Sequence, residues 1–278
     1  GYHSQPPANG SSGATDGQRW TSRCAVGEAS RRDDRAFPEL SCALVTILED
    51  SQLAAFGRDG FCIVRQMFDT DEIDLLRETT LEDRSLDEAR ALTDGEGGAA
   101  RLKIWDQPGD GLYGAFSRSR RLVDSMEKLL DGEVYHYHSK VILKDPRMGG
   151  AFAWHQDYGY WYDGACLYPL MASVAIAIDP ATRTNGCMQV LAGSHHLGRI
   201  DHVQVGEQRS ADPERAEVAL QRLDLVYCEL EPGDALFFHC NLLHRSDQNL
   251  SDDRRWSMIC CYNAARNDPY KDSFHSRY

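Results

Sequence analysis

Val134-Tyr-His-Tyr-His-Ser-Lys140-Val-Ile-Leu143 opens the part of the chain whose reading decides the fold. The run is rich in β-branched and aromatic residues, which suit a pleated, half-buried surface better than a helix. Working outward, comparable short runs follow at 151–158, 171–178, 187–191, 226–230, 235–239 and 256–262, punctuated by Gly, Pro, Asn and Asp. Strands at that spacing predict an antiparallel sandwich or barrel. Asn185-Gly186 is a strong turn signal. Residues 197–222 read as a long, polar, partly helical excursion between strands, a natural place for a lid. Upstream, the spacing of Leu53 and Phe56 predicts a helix, Gly60–Val64 a strand, and Asp69 the cap of a helix carrying Ile73, Leu75 and Leu76. The glycines in 93–111 predict a loop. The fold class is mainly β with flanking helices.

Residues 1–36 are rich in Gly, Ser, Ala and Arg and lack an apolar period, so they read as a disordered tail or linker. Order is expected from near Phe37, giving one domain over 37–278 and no internal repeat. The 278 residues are 42% hydrophobic, enough for a sizeable core. With 30 Lys and Arg against 43 Asp and Glu, the net charge is −13. Such a surface repels phosphate backbones and anionic lipid, so neither nucleic acid nor a membrane is the expected partner. A locally basic pocket for an anionic small molecule remains compatible with it. The nine cysteines are odd in number, scattered, and contain no CxxC pair. That argues against a zinc ribbon or disulfide scaffold and for the cytoplasm or another reducing compartment. The first residue is Gly rather than Met, which leaves an N-terminal targeting signal open, and Ser276-Arg277-Tyr278 is not the usual peroxisomal tripeptide. Oligomeric state is not readable.

Trp154-His155-Gln156-Asp157 carries the chemistry. In a strand, residues two apart share a face, so His155 and Asp157 can converge on one point. A distant His completes a 2-His-1-carboxylate set on one face of an octahedral ion, leaving three positions open. His239 and His244 compete for that role. His244 is favoured because a hydrophobic strand ends near it and Arg255 follows eleven residues later, on the next predicted strand. If those strands are neighbours, Arg255 points into the same cavity, where its planar fork suits a carboxylate and Ser246 adds a hydroxyl. Singly, each of these residues is more easily read as a core histidine or a surface charge; jointly they are not.

With those pieces in order, the chain resembles the phytanoyl-CoA dioxygenase family over roughly residues 48–268. The resemblance is carried by Gln52-Leu-Ala-Ala-Phe-Gly-Arg-Asp-Gly60-Phe, Trp154-His-Gln-Asp157, Asn185-Gly-Cys-Met-Gln-Val-Leu-Ala-Gly-Ser194-His195, Glu231-Pro-Gly-Asp234, and His244-x-Ser246 with Arg255. It implies a double-stranded β-helix (a cupin-like jelly roll), Fe(II), O2, and 2-oxoglutarate split to succinate and carbon dioxide. It assigns iron to His155, Asp157 and His244, which are thereby the catalytic set. The far carboxylate of 2-oxoglutarate falls to Arg255 and Ser246, with Gln156 and Phe152 also placed with the cosubstrate. The branches most similar in appearance are proline trans-4-hydroxylases and ectoine hydroxylases. They share the polar strand around His138 and Lys140, and Trp161 matches an aromatic that lines the substrate site of ectoine hydroxylases. His138, Lys140 and Trp161 are therefore the expected substrate contacts. Two departures stand out: His138 replaces a Gln, and Val174-Ala175 stands where the acyl-CoA enzymes have a Trp.

The expected activity is hydroxylation of a small molecule, a free amino acid such as proline or an ectoine-like zwitterion. The alternatives are an acyl-CoA hydroxylase of the same family, a catalytically silent jelly-roll binding module, and a cupin with another metal. Arg255 discriminates, since a non-oxygenase has no need of a carboxylate clamp there. His195, His196 and His202 could form a second metal cluster but read more simply as structural. Tyr158, Tyr160, Trp161 and Tyr162 serve equally as core or as a surround for a cationic group.

Overall fold

The alternation seen in the sequence becomes two facing antiparallel sheets with helices packed on one side. The computed structural model of the protein describes residues 47–278 apart from 95, 96, 206 and 274. The expected tail (1–36) and the expected onset of order near Phe37 lie outside the described residues. The elements run α1 (Asp50–Asp59), β1 (Phe61–Val64), α2 (Thr70–Glu82), β2 (Arg90–Thr93), β3 (Ala99–Trp105), α3 (Leu112–Ser117), α4 (Arg120–Leu130) and β4 (Val134–Lys144). They continue as β5 (Phe152–His155), α5 (Tyr158–Trp161), β6 (Met171–Ala177), β7 (Met188–Leu191), β8 (His202–Val205), β9 (Gln208–Ala211), α6 (Pro213–Leu220), β10 (Leu225–Cys228), β11 (Ala235–His239), β12 (His244–Ser246) and β13 (Arg255–Ala264).

Local chemistry sets the boundaries. Asp69 caps α2 by accepting the Glu72 N–H at 2.9 Å, while Glu72 reaches back to the Asp69 N–H. α1 ends on Gly60, whose φ of 84° only glycine adopts readily. A Cβ there meets His195 Nδ1 at 2.5 Å, so the position excludes a side chain twice over.

The larger sheet has the order β1-β11-β6-β13-β4-β3-β2, and the smaller has β10-β7-β12-β5. Ile142, Ala175, Leu236 and Ile259 of the larger sheet share a buried cluster with Met188 and Val190 of the smaller, so the two sheets face each other. On the opposite face, Val141, Val174, Phe237 and Met258 pack against Leu76, Phe116, Leu122 and Met126 of the helices. This is a jelly roll with an inner chamber and an outer helical layer. The seven described cysteines are all buried thiols.

Four expectations need correction. Residues 93–111 are not one loop: Ala99–Trp105 is a strand, with buried Ala100 and Leu102 alternating with Arg101 and Lys103. The glycines sit at its flanks, and the flanks dominated the reading. The run 151–158 is a strand only to His155, after which the chain turns helical at Asp157 (φ −56°, ψ −36°). The strand before His244 ends at His239, and His244 opens a separate three-residue strand in the other sheet. The excursion at 197–222 contains the hairpin β8–β9 as well as the expected helix, α6.

One irregularity shapes the chamber. Along β4 and β13, Cys261 pairs with His138 and Tyr262 with His136, leaving Tyr137 as an extra residue. This bulge sends His136 outward, toward Tyr262 at 6.2 Å, and lets Tyr137 and His138 both join the inner side.

Candidate metal centre

His155 and His244 face each other directly across the β5–β12 ladder, with ring centroids 4.1 Å apart. Each ring is fixed in the same way. His155 donates its Nδ1–H to the Ala153 carbonyl at 2.7 Å, and His244 donates its own to the Leu242 carbonyl at 2.9 Å. A carbonyl can only accept, so both rings carry the proton on Nδ1 and present Nε2 as a lone pair. Burial lowers the pKa of both rings and keeps them neutral, the form a metal needs.

Asp157 reaches the same point by a different route from the one expected. It lies past the end of β5, so strand periodicity does not aim it; the turn into α5 does. The turn is pinned on each side: the Gln156 N–H donates to His202 Nε2 at 3.0 Å and the Tyr158 N–H to the Cys240 carbonyl at 2.9 Å. Burial by itself would raise the Asp157 pKa. Lys140 (Nζ at 3.6 Å) and the Ser173 hydroxyl, which donates at 2.9 Å, outweigh it and hold the carboxyl well below the usual range. Lys140 is largely buried, and Asp157 keeps it protonated against that burial. Ligand atoms of His155, Asp157 and His244 all lie within 4.8 Å of one another, the only such group of three or more among the described residues.

The competing candidates fall away. His239 accepts the Asn241 N–H on its Nδ1 at 3.0 Å and packs 5.3 Å from His195, away from the triad. His202 serves as the strut for Gln156. The His195 and His196 rings lie 3.9 Å apart, tilted by 38°, and join no metal-ligating group of three among the described residues.

Arg255 and Ser246 do not sit on neighbouring strands. Arg255 opens β13 in the larger sheet and Ser246 ends β12 in the facing one. They approach across the chamber: Ser246 pairs with Met188, and Met188 lines the same small cavity as Arg255. Arg255 is 6% exposed, its Nε has no hydrogen-bond partner, and burial brings its pKa down to about 10. Directly opposite it on β4 is Lys144, 0% exposed, its pKa lowered well below that of an ordinary lysine by burial and by the Arg255 charge. Lys144 donates to the Asp247 carbonyl and lies 5.6 Å over the Phe152 ring. Two buried cations side by side form a site that an anion relieves. Sequence reading missed Lys144, although period-two spacing from Lys140 through Ile142 puts it on the same inner face.

Gln156 also needs correction. Its side chain donates to the carbonyls of Gly198 (2.8 Å) and Asn241 (2.7 Å) and accepts from the Ile200 N–H (2.7 Å), so both amide hydrogens are spent on backbone and it cannot contact a cosubstrate with them. Trp161 is buried edge-on to Tyr137 and His138, at 5.6 and 5.7 Å. His138 is 3% exposed and its Nδ1 has no partner.

The sequence profile of the family described as phytanoyl-CoA dioxygenase (PhyH) matches residues 56–257. The chain belongs to the phytanoyl-CoA dioxygenase family. Among relatives, it is 30% identical to the L-proline trans-4-hydroxylase of Streptomyces griseoviridis over 233 residues, 77% of this chain and 86% of that one. It is 28% identical to the ectoine dioxygenase of Sphingopyxis alaskensis over 235 residues, 78% of this chain and 76% of that one. Among solved structures, EctD from S. alaskensis with 2-oxoglutarate and 5-hydroxyectoine aligns with a TM-score of 0.69 at 24% identity, covering 82% of this chain and 80% of that one. The 2-oxoglutarate-dependent carbocyclase SnoK from nogalamycin biosynthesis aligns at 0.65 and 18%, covering 78% and 85%. The phytanoyl-CoA dioxygenase fold is thus the jelly roll described above. No helix among the described residues is long and apolar enough to cross a membrane.

Proposed function

We propose that this phytanoyl-CoA dioxygenase family member is an Fe(II)- and 2-oxoglutarate-dependent dioxygenase that hydroxylates a small zwitterion of amino-acid size, its catalytic domain spanning 37–278. In this reading His155, Asp157 and His244 hold the iron. Arg255 and Lys144, with Ser246 and the Phe152 ring nearby, take the far carboxylate of 2-oxoglutarate. His138, Lys140 and Trp161 meet the substrate.

The observation that carries the reading is the spacing of charge along one inner face. From Lys140, beside Asp157, to Lys144, opposite Arg255, is four strand residues, about 13 Å. Small or apolar side chains line the interval, with Ile142, Ala177 and Ser257 between the two charged layers. A short dicarboxylate bound at the metal by one end reaches the cation pair with the other. The donor set itself suits ferrous iron, two neutral imidazoles and one carboxylate on a single face.

When bound, iron with 2-oxoglutarate and O2 supplies the oxidising power, the cosubstrate leaving as succinate and carbon dioxide. The chain's own residues do the rest. His155 and His244 present Nε2 without reorganising, Lys140 and Ser173 keep Asp157 ionised, and the apolar walls exclude water. The relatives named for proline and ectoine support a compact zwitterionic substrate over a long acyl chain. Anaerobic addition of Fe(II) and 2-oxoglutarate should give a weak visible charge-transfer band, and succinate release should rise with a member of an amino-acid and ectoine panel. No band and no succinate would return the chain to the silent-module reading.

A further inference from the structure

The last residues of the chain return to the substrate side of the chamber. The His275 ring stacks on His138 with centroids 4.7 Å apart and planes 21° from parallel, and lies 4.6 Å from Tyr137. His275 is anchored by Nδ1 at 2.6 Å from Asp106 Oδ1, and Ser276 Oγ donates to the Asp106 carbonyl at 2.7 Å. The Tyr278 N–H donates to Asp268 at 2.9 Å, and its ring sits 5.9 Å from Tyr135. Among the described residues no helix or strand holds this segment; polar contacts and ring stacking do.

His138 gives the arrangement its meaning. Its Nδ1 is buried with no hydrogen-bond partner, an expensive state unless a bound molecule completes it. It lies two residues from Lys140 on the inner face. Packing aims its ring: Trp161 and Tyr137 stand edge-on or tilted, and among the described residues His275 alone supplies a near-parallel face.

We infer that His275, anchored by Asp106, is a positioning residue for substrate, stacking on His138 so that the unpartnered ring nitrogen of His138 meets the substrate's polar group. The C-terminal segment is thereby part of the specificity machinery although it touches no metal ligand. The inference rests on the dioxygenase reading for the identity of the bound molecule. The His138–His275 stack itself does not.

Two measurements test it. The first needs no substrate: histidine-labelled protein is compared by NMR with His275→Ala. Loss of the stack should move the His138 ring resonances, and unmoved resonances overturn the inference. The second measures dissociation constants of L-proline and ectoine by calorimetry with Fe(II) and 2-oxoglutarate under anaerobic conditions. His275→Ala should weaken whichever probe the wild type takes by about tenfold, the worth of one stacked pair, with 2-oxoglutarate affinity unchanged. His275→Phe, which keeps a ring but gives up the Asp106 bond, should recover part of that loss. No weakening of the probe, or equal weakening of the probe and of 2-oxoglutarate, overturns the inference. If the wild type binds neither probe, the NMR comparison decides. Failure of the dioxygenase reading shows separately, as wild-type protein that binds no 2-oxoglutarate.

Discussion

Replacing Arg255 with Met separates what the residue costs the fold from what it does for the ligand. In the protein without cosubstrate, Arg255 is a buried cation opposite a second buried cation, Lys144. The fall of its pKa from 12.5 to about 10 corresponds to about 3 kcal/mol of unfavourable burial. Met fills a similar volume without that cost, and buried ions replaced by apolar groups often leave a protein more stable. Arg255→Met should therefore raise the thermal midpoint of the unliganded protein, by roughly 2–4 °C for each kcal/mol recovered. Its affinity for 2-oxoglutarate should fall roughly a hundredfold, the loss of one bidentate charge-assisted contact, with Lys144 retaining the remainder. The assay is a thermal melt with and without 2-oxoglutarate beside an anaerobic titration of the charge-transfer band. Wild type should gain stability from the ligand and the variant almost none at the same concentration. A variant that melts lower and binds 2-oxoglutarate as tightly as wild type would refute both halves of the reasoning.

Other outcomes follow from the same geometry. Asp157→Ala should abolish hydroxylation and leave little iron after dialysis, measured by metal analysis; retained iron would remove the carboxylate from the ligand set. Ser173→Ala deletes the hydroxyl that orients Asp157, and should weaken iron binding by about 10-fold or more while sparing 2-oxoglutarate affinity measured at saturating iron. His136 and His239 are held near pKa 4 by burial, against 6.5 in an unfolded chain. The unfolded state therefore takes up their protons first, so the stability they contribute is complete above about pH 6.5 and drains away toward pH 4. Urea midpoints between those values should show the slope, and a protein carrying His136→Gln and His239→Gln should lose part of it. Gly159→Ala should cost activity as well as stability, because its Cβ would sit 2.1 Å from the His202 ring that pins the Gln156 backbone.

The sequence disclosed residue types and their rough spacing well, and handedness of approach poorly. His155, Asp157 and His244 were legible because a metal needs those donors and few combinations of His and Asp in the chain offer them. Their geometry was not: Asp157 is aimed by a helical turn, and His244 begins a three-residue strand too short to leave a periodic signal. β3 was hidden by the glycines at its flanks. Arg255 was placed correctly on a strand, but which sheet that strand joins is a long-range outcome that local pattern does not encode. Lys144 lay within reach of the period-two rule. The Tyr137 bulge did not, since one extra residue changes faces without changing composition.

The hydrogen bonds of Gln156 have a consequence for the metal centre. They tie the stretch between two donors to the 198–200 segment and to Asn241, just ahead of the third donor, so the whole constellation is one interlocked piece of scaffold. The alignment of the three donors thereby rests on the backbone contacts of Gln156 as well as on the ion they would hold.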